Sequence, residues 1–301
     1  MTGSEFLTAL LTSQRLADGA PELVALDKVR DEVERLIKSA LPNSIIRFTH
    51  GGSRAKGTMV REDYDLDLVV YFENEDDAPG ETLEEIYETI ATLLETSFTV
   101  KRKRSALRLR AKKGGDLRVD VVPGRYIDAT RTDTFIHQNE GSKERQKTNL
   151  EVHIRHVGQS GHTNEIALSK IWRTRHNVGI KTFPLELLVI NVLSEDGSGD
   201  IEARFRRVLD AFADRVDELQ IEDPANPYGN DLSHALTNAI RREVAKAASD
   251  TRDAVDKYGW AHAFGESGNK QAVPNVTVIR SAAAAVATPT RPWSMVDDEL
   301  D

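Results

Sequence analysis

Apolar residues recur every three or four positions in some stretches of the chain and on alternate positions in others. Leu26, Val29, Val33, Leu36 and Ile37 have helical spacing and predict an amphipathic helix over residues 21–41. SIIRFTH, Ser44 to His50, is short and rich in β-formers, so it predicts a strand, and the Gly51-Gly52-Ser53 turn follows. Tyr64 to Phe72 reads as a second strand, with Leu66, Leu68 and Val70 on one face and Asp65 and Asp67 on the other. Asn74 to Gly80 is acidic and turn-like, and Leu83, Ile86, Tyr87, Ile90, Leu93 and Leu94 predict a further helix. Residues 98–123 predict two or three strands in SFTVKRKR, ALRLRAK and DLRVDVVP, with Gly114-Gly115 turning the last pair into a hairpin.

After Pro123 the pattern weakens, and residues 124–162 are polar with little period. Helical periodicity returns near residue 163, in segments Ile166–Asn177, Phe183–Leu193, Ile201–Leu219 and His234–Tyr258. The second of these is apolar nearly all round, the mark of a core helix. DPANPYGND, Asp223 to Asp231, is a loop between the third and fourth, and Gly265–Asp301 is an Ala-, Thr- and Pro-rich tail expected to be loosely held. The expected class is α+β. A half with a mixed, mostly antiparallel sheet (1–160) precedes a helical half (161–265) and the tail (266–301).

Composition bounds the rest. The 301 residues, 39% of them hydrophobic, suffice for one large core or two moderate ones. Cysteine is absent, which removes disulfides and thiolate metal sites and fits a reducing cytoplasm. No signal-type stretch opens the chain, and its longest apolar run, Leu187 to Leu193, is broken by Asn191, so a soluble protein with no membrane partner is expected. A net charge of −9 speaks against long nucleic acid as a partner, though local basic clusters suit small anions such as nucleotide phosphates.

The chemistry starts from Asp65 and Asp67. Side chains two apart on a strand share a face, roughly 6–7 Å from one another. Two such carboxylates repel unless a cation lies between them, and with no histidine within Gly51–Phe72 Mg²⁺ is the economical choice, completed by substrate phosphates. Upstream, Gly51, Gly52 and Ser53 leave backbone N–H groups and a hydroxyl open to an anion. A third carboxylate is needed for two ions. Asp120, in the apolar strand LRVDVV, is the best candidate, and Asp116 competes with it. Two Mg²⁺ or Mn²⁺ ions about 4 Å apart suit nucleotidyl transfer, the attack of a sugar hydroxyl on an α-phosphate.

The other charges read more plainly. Asp63 is expected to cap the short helix or face water. Arg108 and Arg110 alternate with Leu107 and Leu109, which suggests a solvated strand face, with one arginine reaching an acceptor nucleotide as the alternative. Lys170 and Arg173 share a helix face that by default is a solvated stripe. Glu186 is expected to pair with an arginine, and Thr163 and Asn164 to cap a helix, Asn164 with the option of reading a base edge. Trp172, Tyr228, Tyr258 and Trp260 are the aromatic candidates for base stacking.

The pattern GGSxxKGTxxxxxxDxDxxV with a later strand aspartate resembles the DNA polymerase beta-like nucleotidyltransferase superfamily. The step from Ser53 to Asp65 and the later VDVVP resemble the branch that holds oligoadenylate synthetases and bacterial cGAS/DncV-like second-messenger synthetases. LSKIWRTRHNVGIKTFPLELLV and DPANPYGND resemble that branch's helical half and its Asp-Pro-x-Asn-Pro loop. The likeness spans about residues 20–265. It implies a nucleotidyltransferase palm with Gly52 and Ser53 on phosphate, Asp65, Asp67 and Asp120 on two metal ions, and Lys170 on the γ- or β-phosphate. Lys56 and Thr58 fall on matching positions without a definite role. The implied function is joining NTPs, ATP among them, into a short cyclic di- or trinucleotide for anti-phage signalling, with an effector protein reached through the product. Two rivals are transfer of a nucleotide to RNA, protein or a small molecule, and non-catalytic nucleotide sensing. The absence of cysteine rules out the zinc insertion of the animal DNA sensor.

Overall fold

The alternation along one strand decides how the molecule is layered. In the computed structural model, which describes residues 1–112, 118–140, 143–230 and 232–265, β2 (Leu66–Phe72) turns Leu66, Leu68, Val70 and Phe72 into one core. Val69 and Tyr71 point the other way, into a smaller cluster, and Asp67 shares their face by the period of two. The first core lies between the sheet and two helices, α2 (Pro21–Ala40) and α4 (Leu83–Glu95). Helix α4 starts where Thr82 and Glu85 form a reciprocal capping box.

Among the described residues the sheet has seven strands. β1 (Ile46–His50), β2, β5 (Val119–Tyr126), β4 (Leu107–Ala111) and β3 (Phe98–Arg102) lie side by side in that order, and β6 (Thr134–His137) and β7 (Arg145–Thr148) extend it from the far end of β5. Of these strands β2 and β5 run parallel, and the other neighbours are antiparallel. The mixed, mostly antiparallel sheet with helices is the architecture expected from sequence. Gly114, Gly115 and Asp116 lie outside the described residues, as does the tail 266–301.

A second core gathers α6 (Thr163–His176), α7 (Thr182–Glu195), α8 (Ile201–Asp214), α9 (Asn238–Tyr258) and α10 (Trp260–Phe264). Helix α1 (Gly3–Gln14), for which the sequence reading made no prediction, adds Phe6, Leu7, Leu10 and Leu11 to this core. The polar stretch after Pro123 is structured too. β5 runs on to Tyr126, the two four-residue strands β6 and β7 follow, and then α5 (Leu150–Gly158), capped by Asn149. Such short strands give too few alternations to be read from sequence. The Asp223 loop is tied down: Asp223 is buried, receives a hydrogen bond from Asn230, and lies 2.6 Å from His153 Nε2 on α5.

Helix α9 begins at Asn238 behind a Thr237 cap, and His234 lies in a separate short 3₁₀ turn (Ser233–Ala235). Helix α6 is preceded by His162, and neither Thr163 nor Asn164 caps it. Among the described residues no helix is long and apolar enough to cross a membrane.

Candidate active site

The turn after β1 leads straight into α3 (Gly52–Lys56), and the Gly51 N–H donates to the Asp67 carbonyl at 2.8 Å. Gly52 has φ +53°, and a Cβ there would fall 1.6 Å from Asp67 Oδ2, so only glycine lets this backbone lie against the carboxylate. Asp67 is paired in register with Asp120 on the parallel neighbour β5, so the two side chains share one face. Asp65 lies just before β2 rather than within it. A cavity of about 250 Å³ collects Gly52, Ser53, Lys56, Asp65, Asp67, Asp120 and Lys170. Seven of the residues expected to form the site therefore line one space, and Thr58 is buried directly behind them. The Ser53 hydroxyl is buried there without a hydrogen-bond partner, an orphan that a phosphate oxygen satisfies.

Asn164 is not brought to this cavity. It sits on the first turn of α6, and its amide oxygen accepts from Arg15 at 2.8 Å.

The acids strain against each other. Burial, then Asp63 and Asp120, push Asp65 up to about 7. Burial, then Asp65 and Asp120, hold Asp67 well above the usual carboxylate range. These oxygen-only donors suit Mg²⁺ or Mn²⁺, which commonly uses one or two carboxylates and completes its shell with phosphate oxygens and water. Among the described residues, no three His, Cys, Asp or Glu side chains already close on one ion position. Asp120 is engaged elsewhere: both its oxygens accept from Arg108, Nε at 2.8 Å and Nη2 at 2.6 Å. Arg108 is therefore not on a solvated face, because β4 sets it directly opposite Asp120.

A seam of buried ions runs behind the cavity. Lys56 donates to Glu186 Oε2 at 2.8 Å, Lys170 lies 2.6 Å from Glu186 Oε1, and Thr58 bonds both Lys170 and Glu186. Glu186 thus pairs with two lysines rather than with an arginine. Burial raises its pKa, but Lys170 and Lys56 outweigh that and hold it down at about 2. Burial drives Lys170 downward against the pull of Glu186. Asp63 neither caps α3 nor faces water; it is buried in an ion pair with Arg173. Glu62 makes a similar buried pair with Arg175. The expected solvated stripe on α6 is instead the inner face that receives residues 58–63.

Lys181, Thr182 and Phe183, at the start of α7, also line the cavity and were missed in the sequence. Their signal was the lone charge of Glu186 one turn on, which marks a polar end to a core helix. Lys181 also lines a second cavity of about 500 Å³, whose walls include Arg104, Lys143, Arg145 and His234, with no carboxylate among the described residues that line it. The fully exposed Tyr228 neighbours Gly229 of that wall. Trp172 and Trp260 are buried in the helical core, which removes them as stacking partners for a base.

Residues 26–151 match the family model described as "Nucleotidyltransferase domain". This segment is a nucleotidyltransferase domain. It contains the Gly-Ser turn and all three aspartates. The chain is 25% identical, over 276 residues, to a "Cyclic AMP-AMP-AMP synthase" of Escherichia coli strain MS 115-1, covering 78% of this chain and 83% of that one. It is 26% identical over 231 residues to a "CBASS oligonucleotide cyclase CdnC" of E. coli strain KTE188, with 70% and 71% covered. Among solved structures, E. coli MS115-1 CdnC with ATP superposes with a TM-score of 0.65 at 21% identity over 89% of this chain and 99% of the other. The same cyclase in complex with HORMA-deltaN gives 0.60, at 21% identity over 90% and 94%. The fold of the nucleotidyltransferase domain and its helical partner is thus that of the cGAS/DncV-like enzymes.

Proposed function

We propose that this nucleotidyltransferase joins NTPs, ATP among them, into a short cyclic oligonucleotide signal and releases pyrophosphate. The observation that carries the reading is the cavity that unites Asp65, Asp67 and Asp120 with the orphaned Ser53 hydroxyl. The cyclases with similar sequences support the product class. Asp65 and Asp67, with Asp120, hold Mg²⁺ or Mn²⁺, two ions in the full complex. When bound, the ions neutralise phosphate charge and make the attacking hydroxyl more acidic.

The chain's own groups do the rest. Gly52 and Ser53 receive the donor's phosphates, and Lys56 and Lys170, fixed by Glu186, supply positive potential beneath them. The acceptor nucleotide enters through the basic cavity, where Arg104, Lys143, Arg145 and Lys181 suit its phosphates. Lys181, shared by both cavities, marks the passage between donor and acceptor. We assign the division near residue 160 to two lobes that close the cleft, with α1 crossing from the first segment into the helical core of the second, and place the enzyme in the cytoplasm with its NTPs. An effector protein answers to the product.

Incubation with Mn²⁺ or Mg²⁺ and radiolabelled NTPs, singly and mixed, then phosphatase, tests the reading. A small phosphatase-resistant product is expected. Label carried on RNA or protein, with no small product, refutes it.

A further inference from the structure

A row of four charged side chains crosses the sheet. The register aligns Asp67 on β2 with Asp120 on β5, Asp120 with Arg108 on β4, and Arg108 with Lys101 on β3. Residues directly opposite one another lie on the same face, so the order across four neighbouring strands is acid, acid, base, base. Both Asp120 oxygens are engaged by the guanidinium fork, a bidentate, charge-assisted arrangement. The two side chains are only 11% and 13% exposed, so salt screens the pair weakly. Lys101 stands beside Arg108 across the β3–β4 pair and completes the row.

The geometry points to Arg108 as a resident cation that holds the Asp120 side of the metal site: the protein takes one divalent ion on Asp65 and Asp67, and gains a strong second position only when Arg108 releases Asp120. This inference rests on the metal reading of the carboxylates given above. The charge row supplies a device. A guanidinium freed from Asp120, which lines the cavity, is a phosphate-seeking fork beside it, so an incoming triphosphate favours the exchange. Arg108 is on this account a positioning residue, acting through Asp120.

The test is a titration of full-length, chelator-stripped protein with Mn²⁺ at pH 7.5 without nucleotide, free Mn²⁺ being read by electron paramagnetic resonance. Wild type is expected to show one strong site and a second that is much weaker. Arg108→Gln should tighten the second site by about tenfold or more, the scale on which groups around a ligand tune metal affinity. Arg108→Lys, which keeps the charge and loses the fork, should fall between the two. If Arg108→Gln does not fold, Arg108→Lys decides alone. Wild-type Mn²⁺ affinities in the folded variants, or a weaker second site, overturn the inference while leaving the metal pair standing. A first site that persists unchanged in Asp67→Asn refutes the metal pair itself and the inference with it.

Discussion

Asp65→Asn and Asp67→Asn should each lower product formation by about a thousandfold or more, and should at the same time make the metal-free protein more stable. The first effect follows from losing a metal-binding carboxylate, which removes several kcal/mol of transition-state stabilisation. The second follows from the pKa of Asp65. Its carboxyl is held at about 7 against an ordinary value of 3.8, by burial first and by Asp63 and Asp120 next. The folded protein therefore prefers the neutral acid. Stability is intact below the ordinary value, declines as pH rises from about 4 to 7, and carries the full cost of ionisation above that. An amide has no such cost. Allowing for partial solvent access, the gain at pH 8 is about 1–2 kcal/mol, or about 2–3 °C in thermal midpoint for a protein of this size. Thermal melts of wild type and both variants in chelator at pH 5 and pH 8 measure it. A variant midpoint at or below wild type at pH 8 contradicts the clustered charge, and near-wild-type product in both variants contradicts the metal assignment.

What the sequence could reveal depended on how local the cause was. Asp65 and Asp67 stand out because a period of two sets them against Leu66, Leu68 and Val70, and Asp120 because its strand is otherwise apolar. Gly52 could be suspected, but the need for it arises from the approach of Asp67 across the turn. The failures share a cause, a partner distant in sequence. Alternation along β4 says that Arg108 points away from Leu107 and Leu109; it cannot say that β5 sets Asp120 opposite. Asp63 read as a water-facing acid because Arg173 comes 110 positions later. Lys170 and Arg173 read as a solvated stripe because the segment that covers them, residues 58–63, belongs to the sheet half. The core helix α7 was legible from its apolar surround. The identity of Glu186's partners was not, since one lies on α3 and the other on α6.

The same Glu186 gives the largest stability effect expected. It is 1% exposed, and its two oxygens face Lys170 and Lys56, themselves buried. Glu186→Ala leaves two ammonium groups and the Thr58 hydroxyl inside the protein without their anion. Removing one partner of a buried ionic group costs about 3–5 kcal/mol, far more than an exposed pair is worth. Glu186→Gln keeps the shape and an acceptor oxygen but not the charge, so it should lose less and still fall well below wild type. The sign with pH is set by the depressed pKa. Lysine partners hold Glu186 near 2 against an ordinary 4.5, so its contribution is complete above about pH 4.5 and fades only as pH falls toward 2. Urea unfolding at pH 7 and pH 3 should therefore show a wide gap between wild type and Glu186→Ala that narrows at the lower value. Replacing Lys56, Lys170 and Glu186 together by Met, Met and Leu should recover much of the stability, because no uncompensated charge remains. It should not recover product formation, because the two cations beneath the phosphate side of the cavity are gone. A Glu186→Ala protein within 1 kcal/mol of wild type at pH 7, or a triple variant that still makes product at the wild-type rate, would show that the buried network neither joins the two halves nor serves the site.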